Sequence, residues 1–309
     1  KVLAFDTEAN SFYHYFDKTC LVQVATRRQI YLIDPLALGG PKELSPLAPI
    51  FASPEIRKIF HAAEYDLFVL KRDCGFEFRN LFDTMISAQF LGYPSVGLAG
   101  IAKRHFGVTL PKEQQRSDWS TRPLSAKQLS YAASDVLYLI ELSSLLKKEL
   151  HEVKRLRWAQ QEFEVLCGRK WPEREFDKLG YLRIKGARRL SPKSLSILRA
   201  LYLLRDNRAR ELDRPAFKVL GNRTLLEIAE RQPRKQADLR EIKGITDLIQ
   251  RRMGRELMAA VREGTKTEHG PIPKLPSSGR RRLDRQGERR LTALKRWRAE
   301  KSTELKIDP

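Results

Sequence analysis

A chain of 309 residues with 41% hydrophobic content can bury a sizeable core and exceeds what one core usually organises, so two domains are expected. Its formal charge of +21 is lopsided: residues 1–150 carry 18 Lys and Arg against 16 Asp and Glu, and the remainder carries a net +19, which points to a polyanion, most often nucleic acid, with an acidic membrane surface as the alternative. Three scattered cysteines (Cys20, Cys74, Cys167) without a C-x-x-C pair exclude a zinc or disulfide framework, and no membrane-span segment or signal peptide is visible, so a reducing, cytoplasmic setting is expected.

The first predicted element is a buried strand through Val2, Leu3, Ala4 and Phe5, already under way at Lys1, so upstream residues are expected to have been trimmed or left out of this sequence. It ends in Asp6-Thr7-Glu8. Alternation along a strand puts both acids on one face, where like charges raise each other's pKa unless something positive neutralises them, as a divalent metal would. The competing reading is a strand that surfaces after Phe5 and leaves both acids solvated.

Residues 20–26 and 29–34 flank Arg27-Arg28 and read as a hairpin beside that strand. Residues 44–52 read as helix, 57–60 as a short strand, and 64–72 as a helix stopped by Gly75, an alternation expected of an α/β domain with a mixed sheet. Asp66 falls in the opening turns of that helix, where an acid also suits the dipole, and His61 just before it is read as a packing residue or a ligand. Asp83 reads as the N-cap of a helix running to Phe90. Residues 125–167 form the longest helical stretch, opened by a Ser125-x-x-Gln128 capping box. There Tyr131 and Asp135 lie four apart on one face of a helix whose neighbouring stripes are also apolar, so it looks buried nearly all round and the acid needs a partner.

Taken together, Asp6, Glu8, Asp66, Tyr131 and Asp135 resemble the site of the DEDD superfamily of 3′-to-5′ exonucleases, in the branch whose third motif carries tyrosine, and most closely the ribonuclease D family. The segments LVQV (21–24), HAAEYDL (61–67), SDWSTRPL (117–124) and YAASD (131–135) carry the resemblance in order. It implies an α/β RNase H-like exonuclease domain, a mixed sheet flanked by helices, using two Mg²⁺ or Mn²⁺ ions held by Asp6, Glu8, Asp66 and Asp135. Tyr131 would orient the attacking water, since a phenol of pKa about 10 is a poor base at neutral pH. Gln23, His61, Trp119 and Arg122 would contact substrate. The implied substrate is RNA with a free 3′ end, such as tRNA precursor trailers, released as nucleoside 5′-monophosphates by a monomer that engages no membrane. A DNA exonuclease and a catalytically silent RNA-binding scaffold are the alternative readings; the intact carboxylate set argues against the scaffold.

In the basic half, Ser191-Pro192 starts a basic amphipathic helix, Thr224-x-x-Glu227 reads as a second capping box, and residues 246–263 form a closing helix with Gly264 behind it. This all-helical block is similar to the helicase-and-RNase-D C-terminal (HRDC) bundle. Residues 201–212 and 294–305 align at a constant offset of 93, which indicates a second copy that stops at its first helix. Residues 270–279 read as a linker, and Arg280 to Arg282 as a flexible run or a phosphate contact. The expected domains are 1–168 exonuclease, 169–189 connecting segment, 190–264 HRDC bundle, and 265–309 linker with the start of the second copy.

Overall fold

Strand β1 (Val2–Ala9) is the middle strand of a five-stranded sheet in the computed structural model, which describes residues 1–172, 175–267 and 283–307. Antiparallel β2 (Thr19–Ala25) and β3 (Ile30–Ile33) lie on one side of it. Parallel β4 (Arg57–Phe60) and β5 (Leu81–Asp83) lie on the other, giving a mixed sheet ordered β3-β2-β1-β4-β5. Beneath β1 the Phe5 ring sits 4.7 Å from Phe51 and 5.6 Å from Phe60, burial worth roughly 1.5–3 kcal/mol per large side chain. That packing fixes the strand whose next residues are the acids.

Helices flank the sheet: α1 (Ala48–Ala52), α2 (Glu64–Cys74), α3 (Thr84–Leu91) and α4 (Leu98–Phe106), followed by α5 (Ala126–Leu137), α6 (Leu139–Glu152) and α7 (Leu156–Gly168). Gly75 ends α2 at φ 70°, a left-handed conformation that suits glycine. The stretch expected as one helix from 125 to 167 is three. It breaks at Tyr138 and again at Lys154, whose φ is 59°, after which Arg155 donates to the Phe90 carbonyl at 2.8 Å. Neither break carries Gly or Pro. Nor is the stretch buried all round, since Leu129, Leu137 and Leu145 are exposed.

Contrary to expectation, Ala126–Glu152 is, at 27 residues, long and apolar enough to cross a membrane by length and composition. In this fold Val136, Leu139, Ile140, Leu142 and Leu146 from it fill the core against the sheet, which accounts for its apolarity.

The described residues fall into two compact units. One comprises Lys1–Asn10, Asp17–Pro172 and Leu283–Pro309; the other comprises Ser11–Phe16 and Glu173–Arg282. The second is helical, built on α8 (Pro192–Glu211), α9 (Ala216–Val219), α10 (Asn222–Arg231) and α11 (Asp247–Lys266). Ser191 caps α8 by accepting from the Ser194 amide at 3.1 Å. Two local expectations are corrected. Thr224 forms no capping box, because α10 starts earlier behind Gly221 and the Thr224 hydroxyl donates to the Lys243 carbonyl at 3.0 Å. Gly264 lies inside α11 rather than behind it, where a Cβ would stand 2.4 Å from the Ile197 Cα, so glycine serves close approach to α8. In the first unit α12 (Arg285–Leu305) forms the helix expected to open the second copy, with Leu291, Leu294 and Trp297 exposed. The expected linker at 270–279 and the arginine run at 280–282 lie outside the described residues.

Candidate active site

Strand alternation puts Asp6 and Glu8 on one face of β1, with Asp6 directly opposite Gln23 of β2. Across that face, α5 brings Asp135 near enough that one carboxylate oxygen each from Asp6, Glu8 and Asp135 lie within 4.8 Å of one another. The fourth acid, Asp66, sits in the first turn of α2 and accepts the Thr7 hydroxyl at 2.6 Å. Four carboxylates therefore meet from β1, α2 and α5.

Their electrostatics are self-inflicted. Burial first, then the charges of Asp66, Glu8 and Asp135, hold Asp6 well above the usual carboxylate range. Burial with the charges of Asp135 and Asp66 pushes Glu8 up to about 9. Asp66 and Asp135 are each pushed up to about 7 by burial, opposed by hydrogen bonds from the Thr7 and Tyr131 hydroxyls respectively. Four acids forced toward their protonated forms, offering oxygen and neither sulfur nor imidazole, fit hard divalent cations.

Tyr131 lies one turn before Asp135 on α5, whose start is fixed by the capping box of Ser125 and Gln128. Its phenol is held well above its ordinary pKa by burial and by the Asp135, Glu8 and Asp6 charges, so it stays a neutral hydroxyl beside the acids. The Trp119 ring packs 6.0 Å from the Tyr131 ring.

The four expected substrate contacts stand differently. Gln23 is fully buried, and neither atom of its amide has a hydrogen-bond partner among the described residues; the buried indole nitrogen of Trp119 likewise has none. Burial pushes His61 down to about 4, so its imidazole is neutral. Its Nδ1 lies 2.9 Å from the Thr84 hydroxyl, which itself donates to the Phe60 carbonyl, so Nδ1 carries the proton and Nε2 is left as an acceptor. Arg122 is engaged within the fold, by Asp34 and by the carbonyls of Cys20, Trp119 and Thr121.

Two contributors escape the sequence reading. Thr7 is readable only as the residue between two acids, and its bond to Asp66 is a tertiary contact. Asp83 caps α3 as expected, but its carboxylate also accepts the Ala62 amide at 3.2 Å and the Ala63 amide at 2.7 Å, tying down the loop that delivers Asp66. The outlying φ of 60° at Ala62 is held by that grip.

A 3′-5′ exonuclease family profile matches residues 1–151, and an HRDC domain profile matches residues 194–261. The chain is 34% identical to ribonuclease D of Haemophilus influenzae over 88% of its own length and 68% of that protein. Among solved structures, Escherichia coli RNase D, described as an exoribonuclease involved in structured RNA processing, aligns at a TM-score of 0.72 and 29% identity, covering 99% of this chain and 80% of that one. The catalytic core of RRP6 from Trypanosoma brucei aligns at a TM-score of 0.76 and 30% identity, covering 85% of this chain and 73% of that one.

Proposed function

We propose that the chain, which belongs to the ribonuclease D family and is a 3′-to-5′ exoribonuclease, removes nucleoside 5′-monophosphates one at a time from structured or precursor RNA, tRNA precursor trailers among them, by two-metal-ion catalysis with Mg²⁺ or Mn²⁺. The observation that carries this reading is the meeting of Asp6, Glu8 and Asp135 oxygens within 4.8 Å, beside Asp66 and the Tyr131 hydroxyl.

Divalent ions at these carboxylates supply Lewis acidity that lowers the pKa of the attacking water and neutralises charge on the phosphate. The protein does the positioning. Asp6, Glu8, Asp66 and Asp135 give up their protons on binding cations, and Thr7 holds the Asp66 carboxylate in place. Tyr131, a neutral phenol, donates or accepts one hydrogen bond and so orients the water. The water oxygen gives a proton to solvent as it joins phosphorus, the bond to the 3′ oxygen of the penultimate nucleotide breaks, and that oxygen takes a proton from solvent to leave a 3′-hydroxyl on the shortened RNA. His61 Nε2 is assigned to the terminal nucleotide, whereas Gln23 and Trp119, both buried, are too enclosed to touch it.

In this reading residues 1–168 are the exonuclease domain, 169–189 a connector, 190–264 an HRDC bundle that holds RNA by its positive charge, and 265–309 the linker and first helix of a second copy. The protein works as a cytoplasmic monomer. Matched RNA and DNA oligonucleotides labelled at the 5′ end, digested with and without Mg²⁺, test it. Stepwise shortening of RNA alone, in Mg²⁺, supports the reading; equal shortening of DNA would make it a general exonuclease, because the carboxylate chemistry does not itself require a 2′-hydroxyl.

A further inference from the structure

Every guanidinium nitrogen of Arg122 is engaged. Nε and Nη2 form a fork on Asp34 at 2.6 and 2.7 Å; Nη1 donates to the carbonyls of Trp119 and Thr121, both at 2.8 Å, and Nη2 also to the carbonyl of Cys20 at 2.9 Å. Asp34 is itself fixed, accepting the Leu36 and Ala37 amides at 3.1 Å. One side chain thus joins the end of β3, the carbonyl of Cys20 in β2, and the loop carrying Trp119. The far side of that loop is tied to α5, where the Gln128 amide of the capping box donates to the Asp118 carbonyl at 3.3 Å. Between the two ties sits Trp119, 1% exposed, packed with Leu21, Tyr131 and Ala132.

A partly exposed ion pair contributes little stability by itself, so little is at stake in the charges. What the fork provides is geometry: two coplanar contacts to a carboxylate leave the remaining donors aimed at three carbonyls, which a lysine cannot reproduce. We infer that the Asp34–Arg122 pair is a positioning clamp for Tyr131, holding Trp119 against the tyrosine ring so that its hydroxyl stays beside the carboxylates. Arg122 then acts through Trp119 and touches no substrate. The inference rests on the water-orienting role proposed above for Tyr131.

Arg122→Lys and Asp34→Asn, each made in the native and in the Tyr131→Phe background, test the clamp through kcat, KM and the salt dependence of RNA binding. In the native background each variant should lower kcat about 10-fold with KM and salt slope unchanged, the signature of a misplaced reacting group. In the Tyr131→Phe background the same changes should lower kcat less than about 2-fold, because residues acting as one unit are not additive. A raised KM with a salt slope reduced by about 1 would make Arg122 a phosphate contact and overturn the clamp. Fully multiplicative losses would overturn it as well, by showing that the pair does not act through Tyr131. If Tyr131→Phe alone leaves kcat unchanged, the role of Tyr131 fails in its own right and the clamp with it, whatever Arg122→Lys does. Should Arg122→Lys not melt cooperatively, Asp34→Asn, which keeps one oxygen acceptor for the guanidinium, carries the same comparison.

Discussion

Thr7 donates its hydroxyl to Asp66 Oδ1 at 2.6 Å, joining the strand that carries two of the acids to the helix that carries a third. The bond stabilises the ionised form of Asp66, the form that binds a cation, against the burial that opposes it. Thr7→Val keeps the shape and removes the hydroxyl. The concentration of Mg²⁺ giving half-maximal nuclease activity should rise about 10-fold, the lower end of what loss of a partner behind a ligand costs. A metal titration of both proteins checks it.

The raised acids make the metal-free protein sensitive to alkali. Each is protonated in the fold up to about pH 7 for Asp66 and Asp135 and about pH 9 for Glu8, whereas the unfolded chain releases those protons near pH 4. Between those limits the folded state binds more protons, so stability in EDTA should be full below about pH 4 and should fall as pH climbs to 9. Asp66→Asn removes one of these acids. In EDTA at pH 8 its melting temperature should exceed the native value by a few degrees, about 2–4 °C per kcal/mol relieved, and the gain should vanish at pH 4. Mg²⁺ should reverse the order by stabilising the native protein alone, by about 2.7 kcal/mol at 100 times Kd. Thermal melts across pH with and without Mg²⁺ read all three outcomes.

Tyr131→Phe removes only the oxygen beside the carboxylates. If that oxygen orients the water, kcat should fall by about 10-fold to 1000-fold while RNA affinity holds. Single-turnover cleavage and equilibrium binding, measured on one RNA, separate the two quantities.

Gly264→Ala probes the helical unit. A methyl placed 2.4 Å from the Ile197 Cα cannot be accommodated by rotating a side chain, because the clashing atoms are backbone, so α8 and α11 must separate. The expected loss is about 1–3 kcal/mol, read as a lower melting temperature.

The sheet and the side chains that gather at the candidate site were legible in the sequence because their signals are local. Apolar runs bounded by acids mark β1, Gly75 and Asp83 mark helix ends, and Tyr131 and Asp135 share a helix face by spacing alone. What escaped depends on tertiary contacts. The break at Tyr138 carries no Gly or Pro, and the break at Lys154 is held by the Arg155 bond to Phe90. The three residues of β5 are too few for periodicity to show. Gly264 looks like a helix stop until the approach of Ile197 is seen. Arg122 sits in a segment that resembles a nuclease motif, yet its donors are taken up by Asp34 and three carbonyls, which no spacing rule reveals.

The proposed cleavage of RNA from its 3′ end needs the joined carboxylates of Asp6, Glu8, Asp66 and Asp135 and a divalent metal. Its most direct test is the release of nucleoside 5′-monophosphates from a 5′-labelled RNA by the native protein and by Asp135→Asn, in Mg²⁺ and in EDTA. The native protein in Mg²⁺ should give a ladder shortening one nucleotide at a time with the label retained, and Asp135→Asn or EDTA should abolish it while the melting transition remains cooperative. Undiminished shortening by Asp135→Asn, or by the native protein in EDTA, would contradict the account.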